Sequence, residues 1–279
     1  PLRVHEGLPH YSIVLQSCGV ATSNWHTVQP FVGSPHHLAH THTQKKTLLV
    51  REAADDAEWR PQRLSTMELL QREWERGKMP SPPFACFGIF NHLFKCDWLH
   101  CADQGVTADF IGNLFAYLVE KKMPGSSVHD RSVALGALLW TFYEENHVED
   151  RLKEFLPKTF QSEKKKRRPP RIKGNAATTR ALVPFALHMA NKFLADDVPV
   201  EAAMKAAARH LANCYDSLRE TSKPFCHDAL YNSSKNFAIQ YDALHKHFGS
   251  GVKWRPMPKM HMFLELCSSG TEPQKFWCY

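Results

Sequence analysis

The chain's 279 residues predict an α/β layer joined to a large all-helical region. Short apolar runs that read as strands occur in the first hundred residues. Helical periodicity then dominates from about 127 to 250, and strand-like sequence returns near the C-terminus. The expected organisation is an irregular N-terminal segment over 1–60, an ordered α/β part over 61–126, a helical region over 127–250 and a return to the core over 251–279.

Within the first segment, Tyr11–Gln16 and Thr47–Val50 have strand-like composition. Between them lie His36, His37, His40 and His42, with Cys18 and His26 upstream. Histidine and cysteine in such proximity suggest zinc. Structural zinc takes defined ligand pairs, however, and no second cysteine partners Cys18 locally, so a solvated His-rich loop is the preferred expectation. Ser65 and Glu68 fit a capping box that starts a helix over Met67–Arg76, stopped by Gly77 and Pro80. A strand running into Asp97 is expected next, followed by a helix from Thr107 to Lys122 that buries Phe110, Leu114, Tyr117 and Leu118.

The helical region begins with an apolar helix containing Val133, Leu135, Leu138, Leu139 and Phe142. A second carries Leu182, Phe185, Met189 and Phe193. The Ala-rich stretch from Val200 to Glu220 has high intrinsic helix propensity. Phe237, Tyr241, Leu244 and Phe248 define a last helix, ended by Gly249 and Gly251. Seven of the ten residues from Lys164 to Lys173 are basic, and Pro169 and Pro170 forbid a continuous helix. Such a run is expected to be a self-repelling loop. It could contact DNA phosphates through Lys164, Lys165, Lys166, Arg167, Arg168, Arg171 and Lys173, act as a nuclear import signal, or merely link helices.

The net charge of +7 and pI near 9.0 favour a polyanionic partner. Eight cysteines without a C-x-x-C pair suggest reduced thiols, as in the cytosol or nucleus. No apolar run is long enough to span a membrane, the best being Val133–Trp140. The N-terminus carries neither a signal peptide nor an initiator Met, so a processed, trimmed or fragmentary chain is expected.

The most informative stretch is Asp97-Trp98-Leu99-His100-Cys101-Ala102-Asp103-Gln104-Gly105-Val106, with Gly112-Asn113 beyond it. As a strand end, it would present Asp97 and His100 to one crevice. Together with Pro258-Lys259-Met260-His261 and the terminal Phe276-Trp277-Cys278-Tyr279, it resembles cut-and-paste DDE transposases of the CACTA type. The matched blocks cover a small part of the chain, in the family's order. The resemblance implies an RNase H-like core with a helical insertion, and metal-dependent DNA cleavage and strand transfer. It also implies Mg²⁺ held by two aspartates and a glutamate, with Asp97 as the second metal ligand and His100 supporting it.

Departures from the family pattern are expected to leave the triad incomplete. Asp55 and Asp56 lie in a polar stretch, Glu265 falls inside the P-K-x-H block, and the sequence ends near the family's glutamate position. The expectation is therefore an interrupted RNase H-like α/β core, inactive by itself, with DNA as partner, a second copy of the chain as a further one, and nuclear location. If the basic run is only a linker, the location is cytoplasmic. The alternative is a non-enzymatic nucleic-acid-binding or helical protein-interaction module descended from a transposase.

Overall fold

The computed structural model describes residues 71, 75, 97–160, 169–219, 224–249 and 252–273. The chain divides into two compact units, one of Pro1–Lys46 with Asp56–Lys95 and one of Thr47–Asp55 with Cys96–Tyr279. In the first, Gln71 and Glu75 are helical and exposed, and the Gln71 amide donates to Glu75 Oε1 at 2.9 Å. Both fall inside the expected Met67–Arg76 helix. Its capping box, the N-terminal strands, the His-rich segment and Phe276–Tyr279 lie outside the described residues.

In the second unit a π-helical segment, Leu99–Thr107, leads into α1 (Ala108–Lys121). Then come α2 (Val128–Glu145), the single turn α3 (Pro157–Phe160), α4 (Ala176–Phe193), α5 (Pro199–Asp216), α6 (His227–Phe248) and α7 (Pro258–Cys267). This corrects the expected fold class. The described parts of 61–126 and 251–279, assigned above to an RNase H-like α/β core, contain no strand.

The reason is local at Asp97. Its Oδ1 accepts from His100 N at 2.9 Å, and its carbonyl accepts from Cys101 N at 3.1 Å. A side-chain acceptor on the amide three residues on, plus an i→i+4 backbone bond, is the start of a helix. Trp98 is accordingly already helical. A short apolar run has no periodicity that separates a strand from a buried helical turn.

Helix α1 occupies the centre. Phe110, Ile111, Leu114, Phe115 and Leu118 are fully buried, so most of its circumference faces protein. Its bounds lie within a residue of those expected. Tyr117, expected in the core, is half-buried instead. Its hydroxyl donates to Glu201 Oε1 at 2.7 Å, and Lys122 Nζ lies 2.8 Å from the same oxygen. Ala195 N donates to Glu201 Oε2 at 2.8 Å, so one buried carboxylate joins α1, α5 and the α4–α5 turn.

Helix α2 begins at a capping box in which Ser127 and Asp130 exchange side-chain and backbone bonds. Its buried face is Ser132, Leu135, Gly136, Leu139 and Tyr143. Val133, expected on the apolar face, is 50% exposed, because the helix has more apolar residues than one face accommodates. Helix α5 starts with Pro199 at its first turn and ends at Asp216, short of the expected Glu220. Helix α6 stops at Gly249, whose φ of 72° an L side chain adopts with strain. Between these helices Phe110, Phe237, Tyr241, Trp254 and Phe263 pack ring against ring, with centroids 5.5–6.1 Å apart.

Candidate nucleic-acid site around Asp97

Asp97 and His100 meet directly. His100 Nδ1 lies 2.9 Å from Asp97 Oδ1 and 2.8 Å from Oδ2, while the His100 amide also donates to Oδ1. Asp97 is buried and His100 half-buried. The carboxylate thus fixes both the start of the helical segment and the orientation of the imidazole, a positioning arrangement that does not depend on a sheet.

Asp103 lies six residues after Asp97 and is 1% exposed. Tyr215 Oη donates to its Oδ1 at 2.6 Å, Arg180 Nη2 lies 3.3 Å from Oδ2, and the Trp98 indole also bonds it. Burial pushes its pKa up from 3.8 to about 6, against the Tyr215 bond and the Arg180 charge; the nearby charge of Asp97 raises it further. The Tyr215 hydroxyl is raised well above its ordinary value by burial and by Asp103, and it lies 2.8 Å from Thr107 Oγ1. Trp98 stacks edge-on to Tyr215 at 5.4 Å and packs on Phe263 at 5.6 Å.

The helical path breaks at Gln104 and Gly105, whose φ/ψ of −86°/16° and −126°/−107° are non-helical. The Gln104 carbonyl there accepts from Lys259 Nζ at 3.0 Å and from Arg171 Nη2. Arg171 Nη1 also lies 2.9 Å from Asp109 Oδ1. Gly105 makes room for this meeting, since a Cβ on it would lie 3.0 Å from Lys259 Cδ and 3.1 Å from the His100 carbonyl oxygen. Burial and the neighbouring Arg171 lower the Lys259 pKa, while Cys101, Asp109 and Asp97 act in the opposite sense. The two cationic nitrogens lie no further apart than two hydrogen bonds. At an effective dielectric near 20, unit charges at such a separation repel by about 3 kcal/mol.

The Gly-Asn pair has a separate task. A Cβ on Gly112 would lie 2.4 Å from Arg171 Cα and N, so only glycine lets the 169–172 segment cross α1. Arg171 N then donates to the Phe160 carbonyl at 3.1 Å, and Ile172 N to the Ala108 carbonyl at 2.9 Å. Asn113 is buried; its amide donates to Asp109 O at 2.7 Å and Pro170 O at 3.3 Å. Its Oδ1 accepts from Trp254 N at 2.8 Å, holding a fully buried tryptophan whose φ of 56° is costly for a bulky residue.

Of the sequence-assigned site residues, Asp97 and His100 are brought together. Lys173 is exposed; Arg171 is half-buried and turned onto Asp109 and Gln104; Lys164, Lys165, Lys166, Arg167 and Arg168 lie outside the described residues. Among the described residues, no three His, Cys, Asp or Glu side chains form a group able to hold a metal ion. Among the described residues the donors around Asp97 do not make up a two-metal site: Asp97 is engaged by His100, and Asp103 by Tyr215, Arg180 and Trp98. No helix among the described residues is long and apolar enough to cross a membrane.

Asp103, Asp109, Arg180, Tyr215 and Lys259 belong to this cluster without having been assigned roles from sequence. Asp103 and Lys259 stood inside the quoted blocks, which was the available signal; Asp109, Arg180 and Tyr215 carry no local pattern. Comparison with family models, with curated proteins and with solved structures finds no match to this chain.

Proposed function

We propose that the chain is a transposase-like protein whose partner is DNA and whose place of work is the nucleus. One observation carries this: two of the three sequence blocks on which the resemblance rests pack together, with Lys259 of the second donating to Gln104 of the first at 3.0 Å. Gly105, a position within the first block, is what lets Lys259 approach. Asp97, oriented with His100, is the one metal-ligand carboxylate that the resemblance supplies, so the chain by itself is expected not to cleave DNA. Mg²⁺ at Asp97 would need ligands from substrate phosphate and from outside the described residues.

A second reading, a nucleic-acid binder without chemistry, is favoured by the protein donors that already occupy the carboxylates of Asp97 and Asp103. Fluorescence anisotropy with a labelled duplex at low salt tests both. The expected result is weak binding with little sequence preference, weakening steeply as salt rises. Mg²⁺-dependent nicking that is lost in Asp97→Ala selects the enzyme, and binding without nicking selects the binder. No binding at the lowest salt refutes both.

A further inference from the structure

Two cations converge on one neutral acceptor beside Asp97, although that acceptor needs only one of them. At the kink the Gln104 carbonyl accepts from Arg171 Nη2, and Arg171 also bonds Asp109. Lys259 is brought to the same oxygen from α7, across the face of Gly105, into the field of a like charge. A structural cap does not require that second charge. The Arg171 side chain is 39% exposed and Lys259 is partly buried, so the fork opens to solvent on the Arg171 side.

We propose that Arg171 and Lys259 form a phosphate-binding fork at the Gln104 kink, one that takes a backbone phosphodiester of DNA. The chemistry matches. A planar guanidinium offers donors along its edge, an ammonium offers three more, and a tetrahedral oxyanion between them turns their repulsion into two attractive contacts. Asp109 takes one edge of the guanidinium and sets its plane. Gly105 keeps the path of the Lys259 stem open. The fork lies in the same cluster as Asp97 and His100, which would hold the phosphodiester chain beside that pair. This inference rests on the DNA reading above and identifies a contact within it.

The test is anisotropy of a labelled duplex between 50 and 200 mM NaCl, roughly the range over which counterion release is measured, on the whole chain, its Lys259→Met variant and its Lys259→Arg variant. Circular dichroism verifies that each keeps its helical content. The fork predicts that Lys259→Met weakens binding about tenfold and lowers the salt slope by about one, while Lys259→Arg retains most of both. Unchanged affinity and slope in Lys259→Met overturn the fork and leave the DNA reading standing. Absence of duplex binding by the unaltered chain, with inorganic phosphate raising its Tm but not that of Lys259→Met, keeps a phosphate site and overturns the DNA reading. Absence of both effects overturns the two together.

Discussion

Replacing Gly112 with alanine puts a methyl group into backbone. Its Cβ would lie 2.4 Å from Arg171 N and Cα and 2.7 Å from the Arg171 carbonyl carbon, so no flexible side chain is available to yield. The 169–172 segment must lift off α1, straining the bonds from Arg171 N to Phe160 O and from Ile172 N to Ala108 O. Overpacking typically costs about 1–3 kcal/mol, and two weakened hydrogen bonds add about 2. Alanine's better helix propensity returns about 1 kcal/mol. The net expectation is a loss of about 2–4 kcal/mol, or a Tm lower by about 5–15 °C for a unit of this size. Urea titration followed by circular dichroism measures it as a lower midpoint at unchanged slope. A Gly112→Ala protein as stable as the parent would refute the crossing of 169–172 over α1, and with it the placement of Arg171 at Gln104.

Three further outcomes are expected, two from the same geometry and one from the basic run in the sequence. Asn113→Ala strips the buried Trp254 amide of its acceptor and should destabilise by about 2–4 kcal/mol, read by denaturant unfolding; a change under about 0.5 would show that the Asn113 bonds contribute little. Asp103 has a folded pKa of about 6 against 3.8, so the folded state holds its proton over a window where the unfolded state has lost it. Stability from this group therefore falls as pH rises from about 4 to about 6, by about 3 kcal/mol in full, and Asp103→Asn should remove that dependence; parallel stability curves for the two proteins over that window would contradict it. Converting Lys164, Lys165, Lys166, Arg167 and Arg168 to Ala should cut the salt slope of duplex binding by at most about 4.5, since each neutralised phosphate contributes about 0.9; an unchanged slope would put the DNA contact elsewhere.

The helices were legible where apolar residues recur at a spacing that fits one face. Phe110, Leu114 and Leu118 marked α1 almost to its ends, and Phe237, Tyr241 and Leu244, followed by Gly249, marked α6. Legibility failed where the signal was short or ambiguous. The run into Asp97 was too brief to carry a period and lies outside the described residues; from Trp98 onward, with Asp97 capping His100 N, the chain is helical. In α2, abundant apolar residues hid which face was inward, and Val133 points to solvent. The site was half legible. Asp97 with His100 is a contact across three residues and can be read locally. Lys259 on Gln104, Arg180 and Tyr215 on Asp103, and Arg171 across Gly112 join distant parts of the chain, and no local pattern contains them. Arg171 was grouped with the exposed basic run because composition does not register the crossing that draws it inward.

The central claim is that His100, Gln104 and Lys259, partly exposed in the otherwise mostly buried Asp97–Gly105 and Pro258–Leu266 blocks, meet DNA. Photocrosslinking to a duplex carrying a photoreactive phosphate-backbone probe, followed by peptide mapping, tests it most directly. The account predicts adducts in both blocks, lost together when unlabelled duplex competes. Adducts confined to other helices, such as α2 or α5, with neither block labelled, would contradict it.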